Sequence, residues 1–575
     1  MVLLLRCGLR LWTKLAIVRS VVVIFGPTMY TSERDVAIQI PINFIPHPAV
    51  ALRAACFAED RYEDASAQKC LSNLLATGFR RIIVDLYWNP FTSQWTLCPA
   101  ALPSLNQSST SAQSSTVSTI SSSSSQLFQA STNLSLIRSV LQDHFVITGT
   151  NVDATLKYLI LNLHNATLYS GTDSAQLEST TPQSVAQILN ATLSSYLYTP
   201  INLAAHRANL NSSWLSVPVA DQVDISYFHY SINATGFASS PDGWPNEGYA
   251  ELNEAKRLLV GFGMSDFSDT QYNASADESL IFATGTLFAP RPVTLASNGS
   301  VISGCIFDDS EPASVAKTNN SFALAIPAAP GSASPTGVDD SASSLALCGF
   351  SPLLNTTLNN NTADAAITPY TTFVTDSLWA WYPGQPDDKS SGSASNNARC
   401  AVMNISAPAG GRWQVAPCAG RFPGACRIGS APFEWTLTDQ RGSYDAVNHV
   451  CPPNSTFAVP RTPIENAYLR ATAVETLSSS DADPDSESHL VWINLNDLDI
   501  GGCWVTGVNA RCPYNTNQAS ASRHVIVPTV AAVIVFCIAA LTILGKCAAR
   551  RQGAERWRRR MRIKDGLGEY EGVPS

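Results

Sequence analysis

The feature that most constrains this chain lies close to its carboxyl end. Residues 525–545 (VIVPTVAAVIVFCIAALTILG) form a run of 21 residues without a charged side chain. Because a helix rises about 1.5 Å per residue, a run of this length spans the roughly 30 Å hydrocarbon core of a bilayer. A buried core helix is the alternative, but core helices rarely run this long without a polar face. The sequence therefore predicts one transmembrane helix at 525–545.

The basic residues that follow this helix predict its orientation. Residues 546–575 contain nine of them: Lys546, Arg550, Arg551, Arg556, Arg558, Arg559, Arg560, Arg562 and Lys564. Positively charged flanks stay on the cytoplasmic side of a membrane. We therefore expect a single-pass type I membrane protein, with a lumenal or extracellular ectodomain and a short, basic cytoplasmic tail at 546–575.

The charge distribution argues against a nucleic-acid-binding ectodomain. The net charge of the chain is −9, but residues 1–31 carry +4 and residues 546–575 carry +5, which leaves −18 for the segment between them. A field of that sign repels a phosphate backbone. The segment also lacks zinc-finger spacing and a basic helix. We expect the membrane as a partner and no direct contact with nucleic acid.

N-glycosylation signals and cysteines agree with a lumenal compartment. Asn-X-Ser/Thr occurs thirteen times, always before the predicted membrane helix: Asn106, Asn133, Asn165, Asn190, Asn211, Asn233, Asn273, Asn298, Asn319, Asn355, Asn360, Asn404 and Asn454. Eleven cysteines lie between Cys56 and Cys512, in a compartment where disulfides are stable. The sequence predicts a disulfide-bonded glycoprotein, and Cys98 is expected to pair with Cys70 or Cys56.

The amino terminus predicts an entry signal of unusual composition. Basic residues at the start of 1–31 precede an apolar stretch that Arg19 interrupts. The interpretation we favour is a signal peptide at 1–31. An uncleaved signal-anchor and a translation start at Met29 are the alternatives.

Composition divides the ectodomain into three parts, the first of which contains an insertion. We predict an N-terminal lumenal domain at 32–326, a linker at 327–365 and a Cys-rich lumenal region at 366–524. Within the first, residues 104–131 are so rich in Ser, Thr and Gln that we expect a flexible insertion. Pro, Ser and Asn clusters suggest the linker.

Apolar periodicity predicts a mixed α/β ectodomain. We predict helices at 71–77, 134–141, 185–198 and 250–260, and strands at 81–88 and 156–163. Gly78 follows the first helix and is expected to end it.

One predicted strand resembles a known barrel. Residues 78–88 (GFRRIIVDLYW) resemble the second strand of phosphoinositide-specific phospholipase C-like (β/α)8 barrels. The resemblance implies that Asp85 holds a metal or a catalytic histidine, and His47 is the histidine upstream of it. Such chemistry needs two histidines as general acid and base, and no second histidine follows soon after Trp88. We therefore expect no enzyme and no catalytic residue, with Asp85 a buried strand residue.

A second segment resembles the carboxyl-terminal half of a C-type lectin-like domain. It begins at residues 378–388 (LWAWYPGQPDD). The resemblance implies that Gln385 and Asp387 bind a ligand, with Trp379 and Trp381 beside them. No carboxylate follows Trp413 to complete a calcium site, so we expect no metal and no cofactor.

The same resemblance implies a disulfide pattern. Cys400 and Cys418 would form an inner disulfide. Cys426 would pair with an earlier cysteine, either Cys348 or Cys305.

Several blocks together resemble the fungal maintenance of telomere capping protein 6 family. They are residues 34–35, 40–44, 77–88, 97–99 and 379–386, followed by the terminal membrane helix. The resemblance implies participation in telomere capping, which a lumenal glycoprotein would support only indirectly. We expect the ectodomain to be a binding module for a protein or glycan. The alternative is a phospholipase C-like phosphodiesterase that acts on a lipid or glycan head group.

Overall fold

The computed structural model describes residues 27–101, 116–121, 124–129, 132–168, 182–267, 272, 274–308, 314–327, 340–386, 398–406, 409–478, 489–514, 556–558 and 560. The chain divides into two compact units, Met1–Arg511 and Cys512–Ser575. The elements below all belong to the first unit. The predicted membrane helix at 525–545, most of the predicted signal peptide, Asp387, Asn106 and Asn273 lie outside the described residues. None of the helices within those residues has the length and apolar content needed to span a bilayer.

A parallel sheet forms the centre of the first unit. Its strands are, in chain order, β1 (Ala49–Ala51), β2 (Arg81–Asn89), β3 (Lys157–Asn165), β4 (Leu258–Ser265), β5 (Ala289–Pro290), β6 (Ala323–Ala325) and β7 (Ser351–Leu354). They are hydrogen-bonded in the order β4-β3-β2-β1-β7-β6-β5, and every neighbouring pair is parallel. Gln94–Thr96 adds an antiparallel strand beside β2.

The sheet curves into a partial barrel. The two edge strands, β4 and β5, are not paired with each other, and isolated bridges support β4 at its open side. Leu197 forms a parallel bridge to Leu258: Tyr198 N–H donates to the Leu258 carbonyl at 2.9 Å, and Leu258 N–H donates to the Tyr196 carbonyl at 3.0 Å. Phe282 forms a parallel bridge to Gly261: Phe262 N–H donates to the Phe282 carbonyl at 2.9 Å, and Phe282 N–H donates to the Val260 carbonyl at 2.8 Å. The mixed α/β, barrel-like prediction is therefore confirmed.

The alternation of side chains along β2 and β3 separates a barrel interior from a helix-facing layer. In register, the interior pairs are Arg81 with Tyr158, Ile83 with Ile160, Asp85 with Asn162, and Tyr87 with His164. Ile83, Tyr158 and Ile160 belong to one buried core with apolar residues from β1, β4, β6 and β7. An apolar layer thus separates polar groups at the two ends of the barrel.

The described part of the first unit contains eleven α-helices. They are α1 (Pro27–Val36), α2 (Leu52–Cys56), α3 (Asp64–Thr77), α4 (Leu134–Ile147), α5 (Val185–Leu193), α6 (Pro200–Ala208), α7 (Val315–Thr318), α8 (Asp340–Leu347), α9 (Thr368–Asp376), α10 (Tyr444–Val447) and α11 (Pro463–Ser478). Apolar residues of α3, α4, α5 and α9 share a second buried core with the outward side chains of β2 and β3. Burial of these faces drives the layered packing.

Helix α1 packs into the folded chain. Ser32 Oγ accepts a hydrogen bond from Trp381 Nε1 at 2.9 Å. Arg34 Nη1 donates to the Ala154 carbonyl at 2.9 Å. Residues from Pro27 onward therefore form a helix of the fold. The signal peptide at 1–31, whose cleavage site the sequence does not place, stays a prediction.

Two segments predicted to lack structure contribute elements. The predicted linker at 327–365 contains α8 and the sheet strand β7, whose Leu353 pairs with Ala49 of β1. In the Ser-rich segment, Thr116–Ser121 and Ser124–Gln129 pair as an antiparallel hairpin. These residues therefore form regular elements, while the bounds of the linker and of the insertion stay predictions.

The carboxyl-terminal part of the first unit is antiparallel. Its strands are β8 (Ala398–Asn404), β9 (Trp413–Pro417), β10 (Ala425–Ile428), β11 (Trp435–Leu437), β12 (Ser455–Phe457) and β13 (Leu490–Asn496). They form two sheets, in the orders β9-β8-β13 and β11-β10-β12. The lectin-like identity of this part stays a prediction.

Disulfides confirm the inner pair and correct the others. Cys400 and Cys418 are bonded, as the resemblance implied. Cys426 is bonded to Cys451 and not to Cys348 or Cys305, which are bonded to each other. The reason is position: Cys426 lies on β10, while Cys348 follows α8 against the barrel. Cys70 pairs with Cys56, so the predicted pairing with Cys98 is wrong.

Gly78 provides a test of the packing of α1. It ends α3 with φ of +107°, and a Cβ there would lie 3.3 Å from Tyr30 Cε1 and from Val374 Cγ1. Gly285 has φ of +81° with nothing within 4 Å of its Cβ position. We expect G285A to destabilise by about 1–2 kcal/mol through backbone strain alone. G78A should cost about 1–3 kcal/mol more because α1 and α9 must shift.

Urea unfolding of the two variants measures this difference. Equal losses of stability would show that Tyr30 does not pack against Gly78 in solution.

Candidate functional site

The carboxyl ends of β2, β3 and β4 bring three ionisable side chains together. His164, at the end of β3, lies between two carboxylates. Its Nδ1 is 2.6 Å from Asp266 Oδ2, and its Nε2 is 3.6 Å from Asp85 Oδ1. In barrels of parallel strands, functional groups concentrate at this end of the sheet. We call His164, Asp85 and Asp266 the mouth cluster.

Asn162 holds Asp85 in place. Its Nδ2 donates to Asp85 Oδ1 at 2.8 Å, and its Oδ1 accepts from the Met264 backbone N–H at 2.8 Å. A Cβ on Gly263 would lie 2.2 Å from Asn162 Oδ1. Only glycine leaves room for this side chain, so β4 and β2 are connected through Asn162 directly beneath the mouth cluster.

Tyr87 and Arg53 extend the cluster along the barrel rim. The Tyr87 ring stacks on the His164 imidazole with centroids 5.1 Å apart. Arg53 Nη1, from α2, donates to Tyr87 Oη at 3.3 Å, and Arg53 Nη2 lies 3.8 Å from Asp60 Oδ1. The Asp60 and Arg53 side chains are about half exposed. The rim therefore presents alternating charges to solvent.

The surroundings of the mouth cluster stabilise its charged forms. Asp85 raises the pKa of His164; partial burial opposes this shift, and Asp266 adds to it. The shorter contact is with Asp266, so this carboxylate orients Nδ1. Burial by itself would raise the pKa of Asp85, but hydrogen bonds from His164 and Asn162 bring it below its usual value. The two carboxylates therefore favour the imidazolium form of His164 more than solvent would.

This arrangement can bind polar groups and move one proton. A carboxylate-oriented imidazole is a general acid–base element, and the carboxylates accept hydrogen bonds from hydroxyl or amine groups. Among the described residues, no other histidine contacts the mouth cluster. Nor do the described residues place three or more His, Cys, Asp or Glu side chains where they could hold a metal ion.

His47 lies at the opposite end of the barrel from Asp85. It precedes β1 by two residues, and Ala49 of β1 pairs with Arg81, four residues before Asp85. At about 3.3 Å per residue, the separation along the strands is about 20 Å. His47 Nε2 instead lies 3.3 Å from Glu247 Oε1. The pairing of His47 with Asp85 that the barrel resemblance suggested is therefore wrong.

The lectin-like ligand residues are placed differently from one another. Trp379 and Trp381 are each 1% exposed and pack with Trp413 in a buried core. Their burial gives both rings a packing role, and neither ring reaches the surface. Gln385 is partly exposed and accepts a hydrogen bond from Val415 N–H through Oε1. Ligand binding by Gln385 and Asp387 stays a prediction.

The described glycosylation signals are all accessible. Eight asparagines are exposed: Asn165, Asn190, Asn211, Asn233, Asn298, Asn355, Asn360 and Asn454. Asn133, Asn319 and Asn404 are partly exposed. Glycosylation stays a prediction with no burial to oppose it at these positions.

Sequence reasoning missed His164, Asp266 and Asn162. A signal existed in the run Lys157–Asn165, where Asn162 and His164 alternate with leucines and therefore share one strand face. Asp266 follows β4, whose first three residues we had included in a helix at 250–260, and so its position beside β3 was not foreseen.

Comparison with known proteins first defines the class of fold, which is a partial barrel built on a parallel sheet. A family model described as the MTC6 partial TIM-barrel domain matches residues 28–380. That range covers more than half of the chain. The chain belongs to this family.

Curated relatives share a single name. A protein of Candida albicans (strain WO-1) is 25% identical over 604 residues, covering 95% of this chain and 94% of its own. Proteins of Meyerozyma guilliermondii and Komagataella phaffii are 26% and 24% identical with the same coverage. All three are named maintenance of telomere capping protein 6.

A solved structure is also similar over part of the chain. It is a calcium-dependent phosphoinositol-specific phospholipase C from a Gram-negative bacterium, Pseudomonas. It is 13% identical, and the match covers 50% of this chain and 77% of that one, with a TM-score of 0.23. That score is too low to define a shared fold.

The mouth cluster predicts a measurable titration. Replacing Asp266 or Asp85 with Asn should lower the pKa of His164, because each substitution removes a carboxylate that favours the imidazolium. NMR titration of the His164 ring, assigned with H164Q, measures the change. D439N, at an exposed position outside the cluster, is the matched control. An unchanged His164 pKa in both D266N and D85N would contradict the geometry.

Proposed function

We propose that this chain is a single-pass type I membrane glycoprotein whose ectodomain is a non-enzymatic binding module that contributes indirectly to telomere capping. The uncharged run at 525–545, the basic segment after it and the accessible glycosylation signals support the membrane topology. The shared name of the curated relatives supports the role in telomere capping.

The mouth cluster is the observation that carries the binding function. Asp85 and His164 lie on paired strands of the parallel sheet, and Asp266 follows β4 with its side chain 63% exposed. The His164 ring lies 2.6 Å from one carboxylate and 3.6 Å from the other. Such alternating donors and acceptors suit the hydroxyl groups of a glycan or the polar side chains of a protein partner.

The negative charge of the ectodomain favours an indirect role in telomere capping. The ectodomain segment carries −18, and the mouth cluster adds two carboxylates for one imidazolium. A polyanion such as telomeric DNA would be repelled by both. A contribution to capping would therefore pass through a membrane-associated partner.

A phosphodiesterase that acts on a lipid or glycan head group is the second candidate. One observation favours it: Asp266 orients His164 as a general base would be oriented. The mechanism would need an acid to protonate the leaving oxygen, and His47 is about 20 Å away along the strands. With one histidine at the described mouth, binding is the better-supported function.

The membrane topology is tested by enzymatic deglycosylation and protease protection. Endoglycosidase H should shift the mobility of the full-length protein, because the signals lie in the lumen. Protease added to intact microsomes should remove only a carboxyl-terminal tag. An unshifted protein with a protected tag would overturn the topology.

The role of the mouth cluster is tested by complementation. In fungal cells that lack the endogenous protein, H164A and G263A should fail to restore telomere capping, scored as single-stranded telomeric DNA. H164A removes the central ring, and G263A displaces Asn162 from Asp85. G501A is the matched control, since nothing lies within 4 Å of its Cβ position.

Two outcomes would overturn the binding proposal. Full complementation by H164A, at wild-type protein levels, would remove the mouth cluster from the function. Release of phosphorylated head groups from phosphoinositide vesicles by the purified protein, abolished in H164A, would establish the phosphodiesterase instead.

A further inference from the structure

The amino end of the barrel contains a second polar cluster beneath α1. A cavity of about 30 Å³ lies there, lined by Tyr30, Glu33, His47, Arg80 and Glu247 among others. That volume holds one or two water molecules. The cavity separates α1 from the segments that lead into β1 and β2, so α1 covers the amino end of the sheet.

The carboxylate of Glu247 has basic partners in this cluster. Glu247 Oε1 accepts from Arg80 Nη1 at 2.5 Å and lies 3.3 Å from His47 Nε2. Burial by itself would raise the pKa of Glu247, but Arg80 and His47 lower it to about 2. Burial and the adjacent Arg80 lower the pKa of His47 to about 3. Glu247 is therefore ionised and His47 neutral at physiological pH.

Two other carboxyl groups lack such partners. Glu251, one turn after Glu247, is 5% exposed, and neither of its oxygens has a hydrogen-bond partner in the described part of the chain. The same is true of Glu33 Oε2, which is buried where α1 faces the cavity. An ionised carboxylate requires several donors, and a buried one without them is costly. Arg80, whose charge favours the ionised form of both groups, already binds Glu247.

We propose that the amino end of the barrel is a proton-operated latch, in which neutral Glu33 and Glu251 let α1 close the barrel and their ionisation loosens α1. Geometry carries the latch: Glu33 belongs to α1 and lines the cavity with an unpaired oxygen, and Glu251 is buried with unpaired oxygens one turn after Glu247, which lines the same cavity. Water in the cavity gives Glu33 a route for its proton.

The charges that face each carboxyl agree with this assignment. Burial raises the pKa of Glu33 to about 8, with Glu247 adding to the shift and Arg80, the Trp379 N–H and Arg412 opposing it. Burial and Glu247 raise the pKa of Glu251 to about 7, against Arg80, Arg34 and Arg257.

The sign of the pH dependence follows. Because both pKa values are raised above the unfolded value, the stability that these groups contribute is complete below about pH 4.5. It is lost as the pH rises through about 7 and 8. Lys157, nearby, has its pKa lowered to about 7 by burial, Arg80 and Arg257. The contribution of Lys157 to folding stability has the opposite pH dependence: it is lost as the pH falls through about 7.

Comparison with glutamine isolates the two groups from the other titrating residues. Glutamine mimics a protonated carboxyl, so E33Q/E251Q should keep α1 closed at every pH. Between pH 5 and 7 the unfolding constant of the natural chain, relative to that of the double variant, should rise about 100-fold per pH unit, one decade for each carboxyl. E434Q, at an exposed position, is the matched control and should show a constant ratio.

Hydrogen exchange locates the effect. Protection of the α1 amides, corrected for intrinsic exchange, should fall between pH 6 and 8 in the natural chain and stay constant in E33Q/E251Q. A pH-independent stability ratio would overturn the latch, as would a pH-dependent ratio without a change in α1 protection. If the double variant does not fold, E33Q and E251Q are measured singly, each with an expected tenfold change per pH unit.

Discussion

The pairing of β2 with β3 is the constraint on which the rest of the structure depends. Eight residue pairs align in one uninterrupted parallel register, from Arg81 with Tyr158 to Trp88 with Asn165. A shift of one residue would exchange the inner and outer faces of a strand. It would move Asp85 and His164 out of the barrel and place leucines at the mouth. This single register therefore positions the polar groups at both ends and the isoleucine layer between them.

The sequence predicted the elements whose apolar pattern is local and long. The helix at 134–141, the strands at 81–88 and 156–163, and the end of α3 at Gly78 are all present, since each has its own period or stop residue. The predicted helix at 250–260 was wrong at its end: Gly248–Asn253 is a π-helix, but Leu258 begins a strand. Leu258, Leu259 and Val260 form a run buried on both faces, a pattern that a buried helix and a central parallel strand share. The strand β7 was not predicted either, because four residues are too few to show an apolar period.

Only part of the candidate site could be predicted from local sequence patterns. Asp85 stood out within a strong strand, and the carboxyl end of a barrel sheet is where functional groups are expected. Its partners come from β3 and from the segment after β4, and only the sheet order brings them together. The choice of His47 failed because a histidine before a strand and an aspartate late in its neighbour lie at opposite ends of a parallel pair. The burial of Trp379 and Trp381 likewise depends on α1, which lies more than 340 residues earlier in the chain.

The contact made by Phe282 has a consequence for how this barrel moves. A closed barrel distributes its backbone hydrogen bonds around a complete ring, so no strand is easier to detach than another. Here β4 and β5 are not paired, and in the described part of the chain isolated bridges support the open side of β4, from Leu197 to Leu258 and from Phe282 to Gly261. The least costly opening of the sheet is therefore at this seam, and β4 carries Met264 and leads into Asp266 at the mouth. Transient opening at this edge would change the width of the mouth and leave the β2–β3 ladder intact. The β4 side of the sheet would therefore move more readily than the β2–β3 side.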